Sequence, residues 1–253
     1  VGTDREGDVP ATAAEQRALV RRGYDAVSHA YRNDDGRSGL DGLDHPGQYR
    51  AWVDELAGVL PRPARVLDLG CGCGVPATRA LVEQGLHVVG VDFSPVQVAR
   101  ARQLVPGATF IEADMAVWEP DPAAFDAVTA FYALIHVPLE DQQRVIARLA
   151  TWLRPGGWAM LIVGSGRWKA VEDFLGVPMF WDHADRDTYL QWLRDAGFEV
   201  AWHRFVPEGD GGHVLVLAHT SERAENPDPV AQATQRCAGG ITQADAMAPA
   251  AWR

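Results

Sequence analysis

The sequence predicts an α/β fold built on a doubly wound sheet, and three observations lead there. Short apolar runs near residues 64–69, 86–92, 108–115, 125–131 and 158–163 alternate with stretches of helical periodicity, the pattern of parallel strands covered on both faces. A glycine-rich loop follows the first run directly and leads into a helix. The first three runs carry an aspartate at their C-terminal ends, Asp68, Asp92 and Asp114. With 253 residues, 47% of them hydrophobic, the chain can bury one sizeable core.

Residues 1–15 read as a flexible leader. From 15 to 31, Leu19, Val20, Tyr24, Val27 and Tyr31 recur near one helical face. The Asp- and Gly-rich stretch 33–47 is a loop that either gates a site or simply connects. A second amphipathic helix, 49–60, carries Trp52, Leu56, Val59 and Leu60, and Pro61 and Pro63 stop it.

The organising segment is 64–74, ARVLDLGCGCG. Gly70, Gly72 and Gly74 let backbone N–H groups approach a ligand, with the N-terminus of helix 76–84 facing it. Such a unit suits a nucleotide-like ligand. The spacing is not the dinucleotide pattern G-x-G-x-x-G, because the third position falls on Val75. Cys71 and Cys73 supply only half a zinc site and read as small residues filling a tight loop. The second strand ends at Asp92, where an acid can accept hydrogen bonds from ribose hydroxyls. Ser94 then serves as an N-cap and Pro95 opens the next helix.

The fourth strand leads into a loop that carries Tyr132 and His136. Helix 141–153 stops at 154–157, RPGG, before the fifth strand. Residues 164–185 break the rhythm with an aromatic-rich insertion bearing Trp168, Phe174, Met179, Phe180 and Trp181. It lies where open α/β sheets bind ligands, and reads either as an apolar pocket or as a satellite core. Helix 187–196 ends at Gly197. Strands 198–206 and 213–219 form an antiparallel hairpin and bring the strand count to seven. The stretch 221–253 has no periodicity and is expected to be a disordered tail.

The order of these motifs resembles the class I S-adenosylmethionine-dependent methyltransferases, in the branch that modifies ubiquinone and other small natural products. The pattern Asp-x-Gly-x-Gly-x-Gly from Asp68, the acids Asp92 and Asp114, and the Leu-Arg-Pro-Gly-Gly turn ending at Gly157 carry that resemblance over about residues 60–165. It implies a Rossmann-like seven-stranded sheet with an antiparallel last strand, a helical N-terminal lid and a short insertion after the fifth strand. The domain then covers 16–220: lid helices 16–60, cofactor-binding core 61–163, substrate-side insertion 164–185, and C-terminal helix and hairpin 186–220.

The resemblance also implies S-adenosylmethionine as cofactor, with S-adenosylhomocysteine as product. Its site residues are Tyr24, Asp68, Gly70, Cys71, Gly72, Asp92, Phe93, Asp114, Met115 and Phe131. Within that set Asp114 accepts from the adenine amino group and Met115 packs on the ring. Tyr24 and Tyr31 lie on a helix resembling the family's lid, or simply pack that helix on the sheet. Substrate contacts are expected from Tyr31, Tyr132, Trp168, Met179, Phe180, Trp181, His183 and His213. An antiparallel last strand turns the hairpin tip, with Glu208, Asp210 and His213, toward the substrate region.

Methyl transfer is an in-line displacement that needs alignment and, for hydroxyl or amine acceptors, removal of a proton. His136 is the candidate catalytic base, an imidazole being suited to neutral pH; it reads equally as a group that only positions ligands. His183 and His213 come second. His183, Glu208, Asp210 and His213 match no metal signature, so no metal is expected. The net charge of −11, with 34 acidic against 23 basic residues and no basic run, disfavours nucleic-acid partners. No run of about 18 apolar residues exists, so no membrane span is expected. Three cysteines make no disulfide framework, which points to the cytoplasm. The expected partner is a small hydrophobic or aromatic molecule, with oxygen, nitrogen or carbon as acceptor and the oligomeric state open. The alternative is a protein of the same fold that binds the cofactor but catalyses another reaction, such as a natural-product cyclisation.

Overall fold

A computed structural model of the chain describes residues 9–39 and 46–222. The expectations for 1–8 and for the tail beyond 222 lie outside the described residues. In chain order the elements are α1 (Ala13–Tyr31), α2 (Pro46–Val59), β1 (Arg65–Leu69), α3 (Ala77–Glu83), β2 (His87–Asp92), α4 (Pro95–Leu104), β3 (Thr109–Glu112) and β4 (Phe125–Ala130). Then come α5 (Leu139–Trp152), β5 (Leu153–Gly164), β6 (Trp168–Phe174), β7 (Val177–His183), α6 (Arg186–Asp195), β8 (Phe198–Glu208) and β9 (Gly211–Thr220).

Seven strands form one sheet in the order β3-β2-β1-β4-β5-β9-β8. The first five run parallel, and β9 is antiparallel to both β5 and β8. The switch in strand order between β1 and β4 opens a crevice at their C-terminal ends, the ligand position of this Rossmann-like topology. Alternation along each strand divides the core. Leu67, Val89, Val128 and Leu161 pack with Val145, Leu149, Tyr189 and Leu193 of α5 and α6. Val66, Val88, Ala127 and Met160 pack on the other face with Val53, Leu56 and Leu81 of α2 and α3.

Several elements differ from the sequence reading. α1 starts earlier, at Ala13, because Thr12 and Glu15 form a reciprocal capping box that satisfies two helix-end donors. β3 ends at Glu112, so Asp114 sits in the turn beyond it, where its Oδ1 accepts from Ala116 N–H at 2.9 Å. The Arg-Pro-Gly-Gly segment is not a separate stop, since α5 ends at Trp152 and β5 begins at Leu153, paired with Phe125. The aromatic insertion is a β-hairpin of its own, β6 with β7, turning at Leu175 and Gly176 with φ of +57° and +87°. Two successive left-handed residues match the twist of paired strands.

That hairpin carries the second core. Met179 and Phe180 pack with Val20 of α1, and a Cβ at Gly23 would stand 2.7 Å from Met179 Cε. Glycine thus lets α1 lie close on β7.

Candidate functional site

The C-terminal ends of β1, β2 and β4 and the turn after β3 converge on a cleft, the place where open α/β sheets bind ligands. At its base Gly70 N–H donates to the Val91 carbonyl at 2.7 Å. Gly70 has φ +66°, and a Cβ there would stand 2.3 Å from Ala133 Cβ, so the turn requires glycine. At Gly72 a Cβ would meet nothing nearer than 4.0 Å. That open space belongs to the cleft.

Asp92 is the polar pivot of the cleft. Its Oδ2 accepts from Gly72 N–H and its Oδ1 from Ser94 N–H, both at 2.9 Å. Burial nevertheless pushes its carboxyl up to about 6, because desolvation of the charge outweighs two hydrogen bonds. At neutral pH it is therefore a buried carboxylate with acceptor capacity to spare. Asp68 lines not this cleft but a smaller cavity beside it, which shares Tyr31, Gly70, Gly72, Gln97 and Phe131 with it. Asp68 accepts from Thr78 of α3 at 2.6 Å and from Thr129 of β4 at 2.7 Å, and burial pushes its carboxyl to about 6 as well. By fastening three elements it holds the loop in place. Cys71, within the loop, lines the same smaller cavity, and burial pushes its thiol well above the usual range.

Phe93, Asp114, Met115 and Phe131 line the cleft, and Tyr24 and Tyr31 of α1 roof it. Arg17 of α1 reaches Asp114 Oδ2 at 3.0 Å and also pairs with Asp141. Further along, Ser94 Oγ donates to Asp25 at 2.5 Å and Ser28 Oγ to Gln97 at 2.7 Å. The roof is thus tied at both ends to the sheet domain. Arg17, Gln97 and Ala133 are cleft residues with no motif to announce them; only the placement of α1 and of the loop after β4 reveals them.

His136 follows β4 in a short 3-10 turn, Leu134–His136. Its Nδ1 meets the Phe180 carbonyl at 2.9 Å, and its Nε2 meets the Tyr24 hydroxyl at 2.8 Å. A carbonyl only accepts, so Nδ1 carries the hydrogen and Nε2 accepts from Tyr24. Burial lowers the ring to about 4. At neutral pH His136 is uncharged and engaged at both nitrogens.

A second cavity adjoins the first, and Tyr24, Tyr31, Tyr132 and His136 line both. Phe174 and Trp181 of the β6–β7 hairpin complete its aromatic wall. Its polar lining is Glu172, Asp173, Glu208 and His213. Tyr132 has φ +56°, a strained conformation for a non-glycine residue, and its hydroxyl donates to Glu208. The other Glu208 oxygen lies 2.9 Å from His213 Nδ1.

The remaining residues expected at the substrate lie elsewhere. Met179 and Phe180 are fully buried under α1 and offer no cavity surface. Only the backbone carbonyl of Phe180 reaches the site. Trp168 is 38% exposed and borders a separate outer groove. His183 stands beside His213, ring centroids 5.8 Å apart, but its Nδ1 is committed to the Gly166 carbonyl at 2.6 Å. Strand alternation in β7 separates Phe180, which points into the core, from Trp181, which points to the cavity; Met179, on the Trp181 face, is covered by α1 at Gly23. No helix among the described residues is long and apolar enough to cross a membrane.

A family model described as a methyltransferase domain matches residues 43–203. The chain is 41% identical over 124 residues to a trans-aconitate 2-methyltransferase of Variovorax paradoxus strain S110, covering 45% of this chain and 47% of that protein. It therefore spans about half the length of that curated relative. Among solved structures, magnesium protoporphyrin IX methyltransferase from Synechocystis PCC 6803, with S-adenosylmethionine bound, superposes with TM-score 0.65 at 22% identity, covering 81% of this chain and 97% of that one. The cyclase SpnF superposes with TM-score 0.62 at 22% identity, covering 85% and 99%. These last two are likenesses of fold.

Proposed function

The chain belongs to the methyltransferase-domain family, and we propose that it moves a methyl group from S-adenosylmethionine to a small, largely aromatic acceptor. The observation that carries this reading is the pair of adjoining cavities. One has a floor of glycine backbone and a buried carboxylate under a mostly apolar lining; the other is walled by Phe174 and Trp181 with carboxylates at its edge; Tyr24, Tyr31, Tyr132 and His136 form their common wall.

The first cleft fits the cofactor. The open face of Gly72 admits a ligand against the backbone, Asp92 is placed to accept from ribose hydroxyls, and Asp114 and Met115 suit the adenine ring. S-adenosylmethionine supplies an electrophilic methyl carbon on a sulfonium. The chain's own contribution is alignment and exclusion of water. His136, with both nitrogens engaged and its basicity lowered, takes a positioning part in this scheme, holding the Tyr24 hydroxyl at the wall between the cavities. The aromatic second cavity, with three carboxylates and no lysine or arginine on its wall, favours a neutral or cationic acceptor over a polycarboxylate.

The test is calorimetric titration with S-adenosylhomocysteine, wild type beside Asp92→Ala. Micromolar binding by the wild type and a loss of at least about a hundredfold in the variant is the expected result, since charge-assisted hydrogen bonds are each worth about 1.5–3 kcal/mol. No binding by folded wild type overturns the reading. The likeness to a cyclase keeps a second reading in view, cofactor binding without methyl transfer. Formation of S-adenosylhomocysteine during acceptor turnover separates the two.

A further inference from the structure

The second cavity joins side chains that are far apart in sequence: Tyr24 of α1, Tyr132 after β4, Phe174 and Trp181 of the hairpin, and Glu208 and His213 of the β8–β9 tip. We infer that this cavity is the acceptor site for an amine carried on an aromatic skeleton, and that the Glu208–His213 pair takes the proton from its nitrogen. The inference rests on the methyl-transfer reading and names the substrate class of that same site.

Two independent features support it. The first is the wall. Tyr24, Tyr31, Phe174 and Trp181 make successive edge or tilted ring contacts, with centroids 5.6–6.1 Å apart, so they form one continuous aromatic wall. Aromatic faces attract an organic cation. Glu208, partly buried, and Glu172 and Asp173, solvent-exposed at the rim and so more screened, add negative charge, and none of the three pairs with an arginine or lysine among the described residues. A carboxylate-bearing acceptor meets repulsion here, while an ammonium is drawn in.

The second feature is the imidazole–carboxylate pair. The Glu208 carboxylate accepts from His213 Nδ1–H at 2.9 Å and from the Tyr132 hydroxyl. That fixes the tautomer, and leaves Nε2 of His213 with its lone pair and no hydrogen-bond partner among the described residues. His136 is the opposite case, with both nitrogens already used. An oriented imidazole with a free nitrogen is the arrangement a general base requires.

An ammonium cannot attack a methyl carbon until it loses a proton. His213 Nε2 takes that proton, giving a neutral amine and an imidazolium balanced by Glu208. The nitrogen lone pair then forms the N–C bond as the C–S electron pair returns to sulfur. The sulfonium becomes a thioether, and the product leaves as a methylated ammonium. The groups facing His213 are Glu208, Tyr132 and His183 at close range, with His136, Glu172 and Asp173 across the cavity.

Three probes of one skeleton test this: tyramine as the cation, tyrosol as the neutral form and 4-hydroxyphenylacetate as the anion. Each is titrated by calorimetry into the whole chain, with and without S-adenosylhomocysteine. The expected order is tyramine over tyrosol by roughly tenfold, with 4-hydroxyphenylacetate weakest. Glu172→Gln narrows that preference. With S-adenosylmethionine, mass spectrometry is expected to find N-methyltyramine, tyramine offering both a phenol and an amine. His213→Asn lowers turnover by roughly 10²–10⁴-fold and abolishes the acid limb of its pH profile, while S-adenosylhomocysteine affinity is unchanged. Glu208→Gln, a positioning change, displaces that limb and lowers kcat more than it alters KM.

Equal or tighter binding of the anion, methylation of the phenol, an unaltered pH profile in His213→Asn, or failure of tyramine to bind each overturns the assignment. Failure of S-adenosylhomocysteine itself to bind overturns instead the reading beneath it.

Discussion

The two cavities that meet at Tyr24, Tyr31, Tyr132 and His136 are built in opposite ways. The cleft around Asp92, polar at its floor, is made at strand ends: β1 leads into Gly70 and Gly72, β2 delivers Asp92, and the turn after β3 delivers Asp114. Backbone geometry does most of its recognition, and its carboxylates are locked by hydrogen bonds from neighbouring elements. The aromatic cavity is made of side chains, from a helix at the start of the domain, a hairpin inserted after β5 and the tip of another hairpin near its end. The first design suits a ligand that does not vary. The second can be altered residue by residue without disturbing the sheet, which is how one fold accommodates different acceptors.

The sharpest way to break the contrast is Gly70→Ala. A Cβ 2.3 Å from Ala133 Cβ at φ +66° combines overpacking with left-handed strain, a cost on the order of 3 kcal/mol. Urea unfolding is expected to show that loss and calorimetry the loss of S-adenosylhomocysteine binding. Next is Thr129→Val, which deprives buried Asp68 of one of its two hydroxyl donors. It should destabilise the chain by about 2 kcal/mol and weaken cofactor binding only indirectly.

The pH dependence of the polar cleft follows from Asp92. Its folded carboxyl is raised to about 6, so it is ionised above that value and protonated below. Hydroxyl donors favour the ionised form, so S-adenosylhomocysteine affinity should be level above pH 6 and fall by about tenfold per unit of acidification below it. His136 shifts the other way. Its ring is lowered to about 4 from the usual 6.5, so its contribution to stability is complete above the unfolded value and is lost as pH falls through 4. The same titration in Asp92→Asn should lose most of the slope.

Smaller effects belong to the other half of the molecule. Phe174→Ala removes one wall of the aromatic cavity and should weaken tyramine by roughly tenfold while leaving S-adenosylhomocysteine within about twofold. Trp168→Ala, outside both cavities and partly exposed, should change stability by no more than about 0.5 kcal/mol and leave both affinities alone.

What the sequence determined by itself is the polar half. Strand, glycine loop and strand-end acid are local features; each is written in a few consecutive residues, and the parallel topology brings Asp92 to Gly72 because consecutive strands pair. Even there the structure adds what the motif does not show: Asp68 also fastens β1 to α3 and β4 through Thr78 and Thr129. The aromatic half was legible as composition and not as geometry. Trp168, Met179, Phe180 and Trp181 look alike in a line of text. Pairing in the β6–β7 hairpin and the close approach of α1 at Gly23 decide that Trp181 faces the cavity while Met179 and Phe180 fill the core. Tertiary structure likewise decided between the histidines. His136 and His213 have the same chemistry in isolation, and what separates them is which partners the fold places at each nitrogen: a carbonyl and a tyrosine for His136, a carboxylate and a vacant side for His213.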